Sequence, residues 1–157
     1  MRGYELRDLL MKDWRVRAVF RGVFASDKLP ELSSGISHAI IVNLDKSYNP
    51  GTHWCAIFIS AHGDLVYFDS FGMYPYVPSV KHFITQHSRT LQYNTVPIQS
   101  LLSKTCGLYA VYFIERMCRG DNLNKIVSKF NPYSSSWNDN RIIQMYEQRL
   151  RNRFYKK

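Results

Sequence analysis

The middle of the chain alternates short apolar runs with turn-forming residues, which is the pattern of strands in a β-sheet. A continuous, buried strand is predicted over 38–44, and two further strands are predicted over 53–60 and 65–69. His62-Gly63, between the last two, predicts a hairpin turn. A shorter strand with edge character is predicted over 90–96.

Helical spacing of apolar residues flanks and interrupts these strands. It predicts a first helix over 4–14 and a short helix over 78–86 that begins at a proline. The segment 105–119 is apolar on nearly every face, which is typical of a buried helix, and Gly120 follows it as a cap. Strands in hairpin connection followed by helices indicate the α+β class, with a central, mostly antiparallel sheet.

The last helix is predicted over 138–154. One face is expected to carry the apolar residues Ile143, Tyr146, Leu150 and Phe154. A basic stripe is expected beside that face, made of Arg149, Arg153 and Lys156.

The size and composition of the chain fit a single packed domain over residues 1–157. Hydrophobic residues make up 45% of the sequence, but no apolar run is long enough to span a bilayer. The opening MRGYELRDLL has acidic residues where an export signal would be apolar, so no secretion is expected. The three cysteines form no C-x-x-C pair, which favours free thiols in a reducing compartment and no metal site.

The formal charge of +9 is concentrated at the two ends of the chain. Residues 141–157 hold six Lys or Arg against one Glu, whereas residues 31–140 are nearly neutral. This distribution suits a neutral core with a basic flank that could bind a polyanion. A solvated terminal helix explains the same pattern.

Cys106 stands at the start of the predicted buried helix. A helix N-terminus offers unpaired N–H groups and a positive dipole end, which can lower a thiol pKa into the range of about 3.5–7.5. Gly107 beside it is expected to let a substrate backbone approach. An ordinary core cysteine is the alternative explanation of the same residue.

Three other polar residues gain interest from their predicted positions. A turn at 62–63 pairs residues whose numbers sum to about 125, so His53 lies opposite residue 72, within a diagonal step of Asp69. A carboxylate there can hold the imidazole's tautomer and stabilise its cation. Gln99, seven residues before Cys106, could supply an amide donor to an oxyanion. Taken singly, each of these residues also has an ordinary structural explanation.

In this order the motifs resemble the adenain family of cysteine peptidases, the maturation proteases of adenoviruses with relatives in Maverick/Polinton-type elements. The resemblance covers most of the chain. It rests on Gly51–Trp54, Phe68–Gly72, Gln99 and Cys106–Leu108, with Phe20–Phe24 resembling the family's N-terminal segment.

The resemblance implies a papain-like, order-permuted fold in which a buried catalytic helix and flanking helices pack on the sheet. It implies His53 as general base, Asp69 as orienting acid, Gln99 as oxyanion donor and Cys106 as nucleophile, with Trp54 and Gly107 shaping the substrate channel. The reaction would be peptide hydrolysis near glycine through a thioester, on viral or element-encoded capsid precursors.

The resemblance also implies partners. The chemistry needs no cofactor, but an activating peptide and viral DNA are expected, the latter bound without sequence preference by the basic stripe. A monomer is expected in the virion and the host nucleus, with no membrane association. The stretch 88–98 has no cysteine where adenoviral enzymes bond their activating peptide, which argues against covalent activation here.

Two alternatives remain open from the sequence. The same active-site residues occur in distantly related proteases that act on ubiquitin or ubiquitin-like proteins. A non-enzymatic DNA-binding domain is the other alternative, although it leaves the four ordered motifs unexplained.

Overall fold

The computed structural model describes residues 1–154, with side chains described as far as residue 152. The chain forms six helices and five strands within that part. The helices are α1 (Gly3–Leu10), α2 (Trp14–Arg17), α3 (Pro78–His87), α4 (Cys106–Cys118), α5 (Leu123–Val127) and α6 (Ser135–Phe154). The strands are β1 (Phe20–Ala25), β2 (His38–Asn43), β3 (Trp54–Ile59), β4 (Asp64–Phe68) and β5 (Thr90–Tyr93).

The five strands form one mixed sheet in the order β1-β2-β3-β4-β5. The β2–β3 and β3–β4 pairs are antiparallel, whereas the outer pairs β1–β2 and β4–β5 are parallel. The α+β class is therefore confirmed, and the antiparallel pattern holds for the three central strands only. The β3–β4 register pairs Ala56 with Phe68, within one residue of the predicted alignment.

Helices cover both faces of the sheet. On one face α4 lies against β3 and β4, and Phe68 stacks on Phe113 with ring centroids 4.9 Å apart. On the other face Val80 and Phe83 of α3 pack on the buried side chains of the central strands. Because both faces are covered, all six residues of β2 are buried.

Three sequence-based expectations differ from the structure. The first helix ends at Leu10, and α2 is a separate turn that begins after Asp13, whose side chain accepts a hydrogen bond from the Arg15 backbone N–H. The segment Phe20–Ala25, for which no strand was predicted, forms β1. In α6 it is Ile142 that is fully buried, while Ile143 is 42% exposed.

The sheet and α4 together place the candidate site. His53 immediately precedes β3, Asp69 immediately follows β4, and Cys106 is the first residue of α4. Because β3 and β4 are antiparallel neighbours, the start of one and the end of the other meet at the same edge of the sheet. The N-terminus of α4 lies against that edge.

Candidate active site

His53 and Asp69 form a direct hydrogen-bonded pair. Nε2 of His53 lies 2.7 Å from Oδ1 of Asp69, and the Asp69 side chain is only 1% exposed. The same Oδ1 accepts the backbone N–H of Phe71 at 2.8 Å. The Phe71 ring stacks on the imidazole at 4.6 Å between centroids. The orientation of His53 is thus fixed by a bond at its edge and a ring on its face.

The backbone of Asp69 is held by a residue that the sequence did not single out. Asn94 accepts the Asp69 N–H through Oδ1 at 3.0 Å, and its Nδ2 donates to the Asp69 carbonyl at 2.6 Å. Asn94 is buried just beyond β5, so this side chain completes the ladder where the strand has ended. No motif in the sequence marks it, since an asparagine before Thr95 and Pro97 looks like an ordinary turn residue.

Cys106 is buried against His53 at the start of α4. Burial raises the pKa of its thiol, but hydrogen bonds with the His53 side chain and the Trp54 backbone outweigh this effect, and the net pKa is lowered. Burial lowers the pKa of His53, whereas hydrogen bonds with Asp69, Cys106 and Cys55 raise it, to about 12. Both directions favour a thiolate–imidazolium pair at neutral pH.

The other two cysteines have the opposite character. Cys55 is fully buried, and burial raises its pKa to about 11. Burial also raises the pKa of Cys118 to about 11. All three cysteines are free, and Cys106 differs from the other two in the direction of its pKa shift.

Three residues of the site carry donor atoms of the kind that bind metal ions. One donor atom each from His53, Cys55 and Asp69 lies within 4.8 Å of the others. The imidazole and the carboxylate already bind each other, and Cys55 is fully buried. We therefore assign these contacts to the orientation of His53.

Gln99 is held rigidly in the loop before α4. The Ser103 carbonyl can only accept, so Nε2 of Gln99 must face it, at 3.0 Å, and Oε1 faces the Ser70 hydroxyl at 2.5 Å. Among the hydrogen bonds of the described residues, the second hydrogen on Nε2 takes no part. The amide therefore has one N–H to offer, although its contact with a substrate oxygen remains a prediction.

Trp54 and Gly107 pack on each other rather than lining an open slot. A Cβ at Gly107 would lie 2.7 Å from Leu6 Cδ2 and 3.4 Å from Trp54 Cδ1. The missing side chain thus lets α1 and Trp54 approach α4, and a role in admitting substrate stays a prediction. The Trp54 indole N–H donates to the Met1 carbonyl at 3.2 Å.

A cavity of about 560 Å³ adjoins the site and has Trp54 in its wall. It runs along the whole of β1, since consecutive residues from both faces of that strand line it. Its other walls come from α1 and from the loop after β2. The lining residues include Gly3, Tyr4, Arg7, Lys46, Asn49 and Gly51.

The predicted basic stripe is only partly described. Arg149 pairs with Glu115 Oε1 at 2.8 Å and donates to the Leu9 carbonyl at 2.6 Å, so it connects α6 to α4 and α1. The side chain of Arg153 and the whole of Lys156 lie outside the described residues. The DNA-binding prediction therefore stays untested, and Arg149 has a structural role that the sequence did not indicate.

Comparison with known structures finds a similar fold in a solved protein. The ASFV pS273R protease superposes with a TM-score of 0.59 at 15% sequence identity, covering 87% of this chain and 64% of that one. At that identity the likeness concerns the fold. It confirms the α+β architecture in which helices pack on a mixed sheet.

The amino-acid sequence is also similar to that of a named protein. The chain is 36% identical over 113 residues to a protein of Acanthamoeba polyphaga mimivirus named "Putative thiol protease R355". The match covers 65% of this chain and 36% of that protein, so the chain spans about a third of its relative's length. No protein-family model matches the chain. In the described part, no helix combines the length and apolar character needed to cross a membrane.

Proposed function

We propose that this protein is a cysteine endopeptidase that cleaves polypeptides next to glycine through a thioester acyl-enzyme. The observation that carries the proposal is the 2.7 Å bond between His53 and Asp69, at the sheet edge against which Cys106 begins α4. Similarity to a protein named as a thiol protease supports the same chemistry.

The first half-reaction makes the thioester. The Cys106 thiolate attacks the substrate carbonyl carbon, a C–S bond forms, and the carbonyl π electrons move onto oxygen. The Cys106 N–H and the Gln99 amide stabilise that oxyanion. The intermediate collapses with cleavage of the C–N bond, and the leaving amine takes a proton from the His53 imidazolium.

The second half-reaction releases the acid. Neutral His53 takes a proton from water as the water attacks the thioester carbonyl, and the C–S bond breaks to restore the thiolate. Asp69 stabilises the imidazolium that results and keeps Nε2 protonated, so that Nδ1 is the nitrogen that exchanges protons.

Glycine preference follows from the crowding at the first turn of α4. Trp54 lies against Gly107, and its backbone also interacts with the Cys106 thiol. An acyl residue entering between Trp54 and Cys106 has little space for a side chain. The adjoining cavity of about 560 Å³ has the size of a ligand pocket and suits the polypeptide that precedes the scissile bond.

A peptide panel tests this function. Peptides with glycine, alanine or leucine before the scissile bond, and a ubiquitin-like precursor, are incubated with wild type and with Cys106→Ala, and products are identified by mass spectrometry. We expect cleavage of the glycine peptides by wild type only. Preferential cleavage of the precursor would indicate a ubiquitin-like protein as the substrate. Equal product formation by Cys106→Ala would refute the proposed peptidase function.

The biological setting is an extension of this proposal. We assign the enzyme to maturation of viral or element-encoded capsid precursors in the manner of adenain, which accords with a mimivirus relative and the fold of an ASFV protease. Activation by a peptide or by DNA, a monomeric state and action in the virion or nucleus belong to the same proposal. Adding duplex DNA or precursor-derived peptides to the cleavage assay tests activation directly.

A further inference from the structure

The stretch from Ile98 to Thr105, here called the 98–105 loop, carries Gln99 at one end and leads into Cys106 at the other. Ser70 holds one side of it, since the Ser70 carbonyl accepts the backbone N–H groups of Ile98 and Gln99 at 2.9 and 3.1 Å. Its other side meets the beginning of α6. The loop is therefore bound between the residue after Asp69 and a helix distant in sequence.

Asp139 is the main contact on the α6 side. Its Oδ2 accepts the Ser100 N–H at 3.2 Å, and its Oδ1 accepts the hydroxyls of Thr105 at 3.1 Å and Tyr109 at 2.9 Å. These donors stand directly after Gln99, directly before Cys106 and one turn into α4. One carboxylate thus fixes the spacing between the two groups proposed to bind the oxyanion.

The Asp139 carboxylate is buried, so it depends on hydrogen-bond donors from the protein. Asp139 is only 6% exposed, and a buried carboxylate must have its acceptor positions satisfied. The Thr105 hydroxyl is at the N-cap position of α4 but makes no cap bond there. It donates to Asp139 instead, so the hydroxyl joins the loop to α6 and does not cap α4.

The neighbouring Asn138 strengthens the attachment. It is fully buried, and its Nδ2 donates to the Ile98 carbonyl at 2.9 Å and to the Asn131 carbonyl at 2.7 Å. Consecutive residues of α6 thus hold both the start of the loop and its continuation.

We propose that Asp139 is a positioning residue for the oxyanion-binding groups, acting on the reaction through Ser100, Thr105 and Tyr109 without touching substrate. The inference rests on the proposed peptidase function and adds a part of the machinery to it. It separates two halves of the site: Asp69 controls the His53–Cys106 pair, and Asp139 controls the spacing of Gln99 and Cys106.

Two substitutions at Asp139 separate the effect of its negative charge from the effect of its hydrogen bonds. Hydroxyls both donate and accept, so Asp139→Asn can present Oδ1 to Ser100 while its NH₂ donates to Thr105 or Tyr109. We expect this variant to retain kcat within about threefold. Asp139→Ala removes all three contacts, and we expect kcat to fall by about 10–100-fold, somewhat less than the loss of an oxyanion donor itself.

The experiment compares hydrolysis with alkylation of Cys106. Iodoacetamide reacts with the thiolate and requires no oxyanion site, so its pH–rate profile reports the His53–Cys106 pair alone. For Asp139→Ala we expect kcat on a glycine peptide to fall. KM and the alkylation profile should both stay within about twofold of wild type. Asp121→Ala, which removes a carboxylate at the other end of α4, is the matched control and should leave kcat unchanged.

Two results would overturn the inference. One is a kcat for Asp139→Ala within about twofold of wild type, and the other is a parallel fall in alkylation, which would mean general damage to the helix start. If the alanine variant fails to fold, Thr105→Val with Tyr109→Phe removes both hydroxyl donors and is measured instead. Absence of hydrolysis by wild type would refute the proposed function, which is a separate outcome.

Discussion

Asp69 and His53 are joined at 2.7 Å although they are sixteen positions apart in the chain. The β3–β4 hairpin brings them together, since one precedes its first strand and the other follows its second. The Asp69 side chain is 1% exposed, its Oδ1 accepts the Phe71 N–H, and Asn94 holds its backbone, whereas the His53 side chain is 14% exposed. The pair therefore has its fixed end in the core and its reactive end at the surface.

This relationship predicts a partial defect for Asp69→Asn. The amide oxygen can still accept from His53 and Phe71, but the negative charge that stabilises imidazolium is lost. We expect kcat/KM on a glycine peptide to fall by about 10–100-fold, and His53→Ala to be far more damaging. Equal, near-total losses in the two variants would contradict this ranking. Asp64→Asn, at the exposed start of β4, is the control and should behave as wild type.

The contrast among the three thiols predicts selective alkylation. Because the pKa of Cys106 is lowered while those of Cys55 and Cys118 are raised to about 11, one equivalent of iodoacetamide should react at neutral pH. Mass spectrometry should place the label on Cys106. Label on Cys118 at a comparable rate would refute the assignment, and Cys118→Ala should leave labelling unchanged.

The pH dependence of that labelling follows from the same shifts. The pKa of Cys106 is lowered from its ordinary value of 9.0, so the midpoint of the rise in rate should lie below pH 9. The His53 pKa of about 12 keeps imidazolium present through that range. In His53→Ala the stabilising cation is gone, so the rise should move to higher pH. An unchanged profile in that variant would show that His53 does not activate Cys106.

Cys106→Ala and Cys106→Ser test the nucleophile itself. The alanine variant should fold normally, because a small side chain is tolerated at the start of a helix, and should hydrolyse nothing. The serine variant should be almost inactive, because a hydroxyl is far less acidic than this thiol. Retention of more than about a tenth of wild-type kcat by the alanine variant would remove Cys106 from the mechanism. Equal unfolding temperatures for the three proteins serve as the control.

The backbone conformation at Gly72 predicts a loss of stability when a side chain is added there. Gly72 has φ +67°, and a Cβ there would lie 2.7–2.9 Å from backbone atoms of Thr95, Val96 and Pro97. Gly72→Ala should lower the free energy of unfolding by about 1–3 kcal/mol or more, because strain and a backbone clash add. Gly35→Ala is the matched control, since Gly35 has φ +83° with open space around its Cβ position. Similar thermal shifts for the two variants would show that the clash is relieved.

The sequence was sufficient for the central strands, α4 and the His53–Asp69 pairing because each has a local signal. Apolar runs with a turn between them set the β3–β4 register, and that register alone places Asp69 beside His53. Cys106 was singled out because it begins a helix that is apolar on nearly every side, and its role as nucleophile stays a prediction. These features depend on residues close together along the chain.

The features that were missed depend on partners far away. β1 is an edge strand interrupted by Gly22, and its parallel pairing to β2 requires a connection that no local pattern encodes. Asp139 contacts a loop more than thirty residues earlier, and its neighbours give no hint of a buried carboxylate. The apolar face of α6 was assigned to Ile143 where Ile142 is buried, because periodicity leaves a helix free to rotate by one residue.

The basic end of the chain supports a final prediction that separates folding from DNA binding. Arg149 is half-buried, pairs with Glu115 and donates to the Leu9 carbonyl. Arg149→Ala removes the ion-pair partner of Glu115 and leaves that carboxylate, within the described residues, with the Tyr146 hydroxyl alone, so we expect the free energy of unfolding to fall by about 1–3 kcal/mol. Arg151→Ala is the matched control on the same helix. It removes an exposed pair with Glu147 and should change stability by less than about 0.5 kcal/mol.

Duplex binding is then measured with Arg149 intact. If the end of the chain binds DNA, Arg153→Glu with Lys156→Glu should weaken binding at low salt. The dependence of affinity on salt concentration should also become weaker, because fewer phosphate contacts release fewer counterions on binding. Base sequence should have little influence, since phosphate contacts carry no sequence information. Arg151→Glu, which changes the net charge by half as much, controls for charge reversal on α6. Equal weakening by this control would indicate a diffuse charge effect, and unchanged binding in the double variant would leave the basic end as solvated surface.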